Sequence, residues 1–320
     1  WNAARFVLLN QGSGFRVQGS DTKSLESQVS SLKSQVSSLG LADRWILSRL
    51  HSTIGEVRQA LDEYRFNEVA ALLYQFTWHE FCDWYLELSK VALESADADE
   101  QAQTRTVLTT VLDSILRLLH PLMPFITEEI WHALHPDRSE DSIMVQPYPA
   151  FQPQMVDAEA EQRMGLLIEV IRAVRNIRSE MNLPPGQELV AIVVPNTEVV
   201  KTQLRSYETY VRRLARLGEV RYQSDGDRPR GAALAVVEGA ELYVPLVGLV
   251  NLQEEHKRLE REIGKVANDL AGVQRKLEDA KFIARAPEEI VEKERERAGQ
   301  LEEKRLSLEK SRERLRQIEA

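Results

Sequence analysis

Three arginines, Arg172, Arg175 and Arg178, recur at every third position of the stretch IRAVRNIRSEMNLPPG. On a helix that spacing lays them in a slanting row along one side, while Ile168, Ile171, Val174 and Ile177 face a core. Planar guanidinium groups suit phosphate oxygens, to which each can donate two parallel hydrogen bonds. Ion pairs to Glu169 or Glu180 would satisfy the same row, so periodicity alone leaves phosphate binding and internal neutralisation equally open. Arg212, Arg213 and Arg216 pose the same choice.

Other reactive types are present without the company that chemistry needs. His132 and His135 stand three apart, and His79 stands three before Cys82, but four-coordinate zinc requires more ligands than either pair offers. Both pairs are expected to pack, and no metal site is assigned. The one glycine-rich piece, GSGFRVQG, lacks the third glycine of a dinucleotide fingerprint and has no strand before it. Cys82 sits among apolar and aromatic residues in FTWHEFCDWYLEL and reads as a packed thiol. Phe76, Trp78, Phe81, Trp84 and Tyr85 could stack on bases, yet the spacing of Phe76, Phe81 and Trp84 favours a helical core. No residue is assigned a catalytic role.

The elements that must carry these groups are mostly helical. Apolar residues recur at three and four from Leu41 to Leu93, broken near DEYRFN, so two antiparallel helices are expected. A third runs from about Asp99 to Leu119 and stops at HPLMP, and FITEEIWHAL follows until Pro136. Glu159 to Asn182 is again helical. The period then changes: ELVAIVVP, ALAVVEG and AELYVPL read as strands, separated by one amphipathic helix over TEVVKTQLRSYETYVRRLARLG that ends at Gly218. From Leu252 the pattern locks into heptads through Leu259, Ile263, Val266, Leu270, Val273 and Leu277. It resumes after FIARAP through Ile290, Val291, Ala298, Leu301, Leu308 and Leu315, with Arg305 and Arg312 at seam positions.

The expected fold is therefore mainly α, in three parts. A helical bundle covers 1–150, a small α+β domain 151–248, and an antiparallel coiled-coil hairpin 249–320. One stretch stands apart: SLESQVSSLKSQVSSL repeats a heptad within residues 19–39, near the lower limit of about 12–15 residues for an independent helix. It reads as an insertion that packs weakly or helps chains associate.

At 320 residues with 43% hydrophobic side chains, the chain can bury a sizeable core. Its net charge of -9 argues against a generic polyanion binder. The excess is local, because residues 1–156 carry 12 basic and 20 acidic side chains whereas 249–320 carry 17 of each. Recognition of nucleic acid would have to rely on local basic stripes. A single cysteine excludes an internal disulfide and suits a reducing cytosol. No apolar run approaches the roughly 20 residues that cross a bilayer, and without an initiator methionine the chain is expected to begin inside a longer polypeptide.

Several blocks, in order, resemble the C-terminal third of bacterial valine–tRNA ligases, a family of class I aminoacyl-tRNA synthetases. They are WNAARF, YRFNEVAALLYQFTWHEFCDWYLELSK, ILRLLHPLMPFITEEIW, IRAVRNIRSEMNLPPG and RKLEDAKFIARAPEEIVEKERER. The resemblance implies an anticodon-binding bundle, a junction domain and a tRNA-binding arm, with tRNA(Val) as partner. It implies catalytic and editing domains upstream in the same polypeptide, with ATP and Mg used there and no cofactor in this segment. A cytoplasmic monomer without membrane contact, inactive as a segment, follows from the same likeness.

By that resemblance, Asn2, Arg5 and Phe6 on the first helix approach the anticodon, as does Phe15 in the glycine loop, although a packed role competes for both rings. Arg172, Arg175 and Arg178 face the tRNA backbone. Arg275, Lys276 and Arg297 lean on the tRNA elbow, while Gly272 stands where the family can carry an arginine and weakens that contact. The alternatives are a non-catalytic coiled-coil scaffold and a stand-alone synthetase-like paralogue.

Overall fold

The computed structural model describes residues 1–10, 38–138, 141–223, 229, 231–246, 252–278 and 288–319. Phe15 and nearly all of the heptad insertion lie outside them. The chain is mainly α, with a small sheet and a helical arm, in two compact units: Trp1–Ile168 and Glu169–Ala320.

In the first unit, α1 (Asn2–Asn10) buries Ala4 and Val7. Helix α2 (Leu41–Asp62) buries Trp45, Ile46, Leu50, Ile54 and Val57 on one stripe. Tyr64, in the left-handed region at φ +56, turns the chain into α3 (Phe66–Tyr74). The next eleven residues, Gln75–Tyr85, wind as a π-helix before α4 (Leu86–Leu93), with the Leu86 N–H reaching back five residues to the Phe81 carbonyl. The wider turn points Phe76 and Phe81, five apart, into the same core, where both are 1% exposed. As the spacing predicts, Phe76, Phe81 and Trp84 are buried; Trp78 is not.

Helix α5 (Ala98–Leu119) starts at Asp97, whose side chain accepts from the Asp99 and Glu100 N–H groups. It stops where the prolines begin, and Pro124 opens α6 (Pro124–Leu134). Asp113 on α5 accepts from Trp131 Nε1 and His135 Nε2, both at 3.0 Å, and pairs with Arg117. Burial would raise that carboxyl, but the His135 bond and the Arg117 charge hold it below the usual carboxylate range. Helix α7 (Ala158–Glu180) follows, burying Ala160, Met164 and Leu167 and then Val170, Ile171, Val174 and Ile177.

The second unit holds a four-stranded sheet of order β2-β1-β4-β3. Strand β1 (Leu189–Pro195) lies inside, pairing in parallel with β2 and antiparallel with β4. The expected single helix after β1 is two: α8 (Glu198–Ser206) and α9 (Glu208–Ala215), broken at Tyr207. The stop is not Gly218 but Arg216, which takes the left-handed conformation at φ +53. Gly218 belongs instead to β2 (Leu217–Tyr222), a strand the apolar pattern does not announce. Strands β3 (Ala232–Val237) and β4 (Ala240–Pro245) form a hairpin whose turn needs Gly239 at φ +83.

The arm consists of α10 (Leu252–Glu278) and α11 (Glu288–Glu319). Lys276 near the end of α10 meets Glu294 near the start of α11 at 3.0 Å, which fixes the pair as antiparallel. Leu259, Val266, Leu270, Val273 and Val291 fill the seam. Ile290 does not join it: Val291 takes the inward position and Ile290 is exposed.

Candidate nucleic-acid interface

Most described cations of the first unit are already neutralised by carboxylates. Arg44 pairs with Asp157 at 2.6 Å; Arg49 binds Glu80 through two nitrogens and Glu161 at 3.3 Å. Arg65, Arg117, Arg138 and Arg163 also hold carboxylates. Among the described residues, Arg5 has no ion-pair partner and is exposed on α1 beside exposed Asn2. Arg58 on α2 is a second such cation, which the blocks above do not point to. Phe6 is half-buried with the Lys90 ammonium 5.7 Å from its ring centroid, so part of its face is occupied from within the bundle.

Tyr74 and Trp78 stack at 6.3 Å and 5° on the surface, 60% and 53% exposed, with His79 edge-on to Tyr74. The one-turn spacing of Tyr74 and Trp78 was the available signal for an exposed pair. The paired histidines sit against carboxylates: His79 against Asp83 at 3.1 Å, His132 against Glu128 at 3.1 Å. Cys82 is half-buried, and burial pushes its thiol up. Among the described residues no group of three or more His, Cys, Asp or Glu could hold a metal ion.

The arginine row of α7 resolves into unequal members. Arg172 is exposed. Arg175 donates from Nε and Nη2 to the Leu214 carbonyl at 3.0 and 2.9 Å. Arg178 spreads over four carbonyls: Nη1 donates to Pro184 and Gln187 at 3.1 and 2.7 Å, and Nη2 to Ala215 and Arg216, both at 3.2 Å. Those acceptors lie at the C-terminus of α9 and in the loop after α7, where a cation is favoured by the helix dipole; the Pro184 and Arg216 carbonyls also accept the Gln187 and Leu189 N–H groups, at 3.1 and 3.2 Å. Arg216 donates to the Pro185 carbonyl at 2.7 Å. Burial, then repulsion from Arg216, pushes the Arg178 guanidinium down from its ordinary value. The three members of the row are thus unequally placed, Arg178 being held by main-chain carbonyls while Arg172 is exposed.

On the arm, Arg275 is exposed and its Nε donates to the Ala271 carbonyl at 3.2 Å. Lys276 is engaged with Glu294. Arg297 is exposed and has no ion-pair partner among the described residues.

The parts that carry these cations are a helical bundle, an α+β unit and a two-helix arm, and two of them match known families. Residues 43–194 match the family described as "Anticodon-binding domain of tRNA ligase", and residues 251–319 match "Valyl tRNA synthetase tRNA binding arm". The chain is 43% identical over 318 residues to the valine–tRNA ligase of Geobacter sulfurreducens, covering 99% of this chain and 34% of that protein. It is 42% identical over 304 residues to that of Syntrophotalea carbinolica, covering 95% and 32%, and 39% identical over 310 residues to that of Bacillus subtilis, covering 97% and 33%. The chain belongs to the valine–tRNA ligase family and spans about a third of the length of these relatives.

Proposed function

We propose that this chain binds tRNA(Val), its bundle over 1–150 reading the anticodon, its arm over 249–320 bracing the tRNA elbow, and 151–248 joining the two. Catalytic and editing domains of the same polypeptide attach valine using ATP and Mg; the segment alone binds RNA as a monomer and activates no amino acid. The single cysteine and the part played in protein synthesis favour a cytoplasmic setting. Among the described residues no helix is long and apolar enough to cross a membrane.

One observation carries this reading: an anticodon-binding match and a tRNA-arm match stand in one chain, in that order, on a bundle and on a two-helix arm. Arg5 on the bundle and Arg297 on the arm supply cations without described carboxylate partners, which a chain of net charge -9 needs if it is to grip RNA locally. The test is filter binding of a valine-anticodon tRNA and of the same tRNA with its anticodon changed. Tight binding that weakens with the change, and whose log affinity falls linearly with log salt, supports the proposal. Equal, feeble retention of every RNA refutes it.

A further inference from the structure

The outer face of α10 is not built as a solvated helix face usually is. At 100° per residue, Lys257, Arg261, Gly264, Lys265, Asn268, Gly272 and Arg275 fall within about 100° of arc, opposite the buried Leu259, Val266, Leu270 and Val273. Between Lys257 and Arg275 no carboxylate lies in that arc; Glu260 and Asp269 flank it on either side. Lys257, Arg261 and Lys265 are exposed and have no ion-pair partner among the described residues. Among the described residues, Arg261 and Arg275 donate from Nε to carbonyls one turn back, at 3.1 and 3.2 Å.

Two features of this face work against the helix that carries it. Like charges at successive positions four apart, as in Lys257, Arg261 and Lys265, repel one another. Gly264 and Gly272 lower helix propensity, although a Cβ at either would meet nothing within 4 Å. Helix α11, by contrast, places opposite charges three apart, as in Glu292 and Arg295, Glu302 and Arg305, and Glu313 and Arg316. What the α10 arc does provide is a low, positively charged track about 27 Å long from Lys257 to Arg275.

We propose that this track docks a sugar–phosphate backbone, extending the RNA contact of the arm from the region of Arg275 back to Lys257. Charge complementarity selects a polyanion, and the glycines let a backbone approach where side chains would hold it off. The arc has no aromatic group to stack on a base and no large apolar side chain to anchor a protein partner, so the contact reads backbone and shape, not sequence. The inference rests on the tRNA-binding reading above.

The test uses the whole 320-residue chain and a valine-anticodon tRNA transcript, with fluorescence anisotropy between about 50 and 200 mM salt. The triple variant Lys257→Gln, Arg261→Gln, Lys265→Gln should weaken binding by about tenfold or more and flatten the log–log salt slope by about 2. A control of equal charge on α11, Lys293→Gln, Lys304→Gln, Lys310→Gln, should change affinity less. Gly264→Leu with Gly272→Leu should keep or raise the melting temperature by circular dichroism, yet lower affinity. A triple variant that binds with wild-type affinity and slope, beside a wild type that binds well, overturns the track and leaves the tRNA reading standing. A wild type that binds no tRNA overturns both.

Discussion

Asp43, enclosed in the bundle, accepts from the Tyr85 hydroxyl and, at 2.8 Å, from Thr104. Burial pushes its carboxyl up to about 6, against the pull of those two bonds, with Glu100 adding to the rise. Because the folded chain holds this proton more tightly than the unfolded chain, the contribution to stability is complete below about pH 4 and is lost as pH rises through about 6. Urea unfolding of wild type and Asp43→Asn at pH 4.5 and 7 should therefore show wild type losing ground to the variant on the alkaline side; a constant difference would contradict the assignment. Arg178 gives a second prediction. Arg178→Ala removes its bonds to four carbonyls, of which those of Pro184 and Arg216 keep a main-chain donor, and should cost about 1–3 kcal/mol, with Lys a poor substitute because one ammonium cannot span both groups of acceptors. Arg172→Ala, on the exposed end of the row, should stay within about 0.5 kcal/mol of wild type. Equal losses at 172 and 178 in thermal unfolding would refute the carbonyl latch. Spacing alone could not separate these arginines, because the acceptors of Arg178 are main-chain atoms up to 38 residues away and leave no charge pattern.

At the scale of elements, the legible parts are those whose burial follows a single period. Helices α2 and α5 and the seam of α10 appear where apolar residues recur at three and four, since one stripe faces one core. The misread parts lack such a stripe or switch it. Strand β2 buries only Leu217 fully and follows directly on a helix, so LGEVRY looks like a helix tail. The break at Tyr207 has no glycine or proline to mark it, and the π-helix shifts the apolar phase by a residue without changing composition. Depth of burial also ranks the elements energetically. Ile46→Ala on α2, 0% exposed and enclosed by the bundle, should cost about 4–5 kcal/mol, whereas Leu270→Ala in the narrow arm should cost about 2–3, nearer the lower end for a large apolar residue cut to alanine. Chemical denaturation of the two variants checks the order; a costlier arm substitution would mean that the seam is packed as tightly as the bundle.

Across the whole chain, sequence shows the order of parts, but not which of its many cations are already held by carboxylates. That distinction needs side-chain positions: Arg44, Arg49 and Arg65 look like Arg5, Arg261 and Arg297 in composition, yet only the first three are paired among the described residues. Stability is as unevenly distributed as charge. Ile46, Ile54, Val57, Val107 and Val111 are at most 2% exposed, while among the described residues the arm buries Leu259, Val266, Leu270, Val273 and Val291. Amide exchange should accordingly be slowest in α2 and α5 and fastest in α10 and α11, because local opening of a two-helix arm exposes little apolar surface. A bound tRNA backbone ties the outer face of α10 to a stiff partner and adds its binding free energy to the closed state. Adding tRNA should therefore slow exchange in α10, where opening is easiest, and leave the β3 and β4 hairpin unaffected. Mass-spectrometric exchange with and without RNA reads all of these at once. Protection confined to the hairpin, or absent from α10 at saturating tRNA, would break the link between the unpaired cations of the arm and RNA binding.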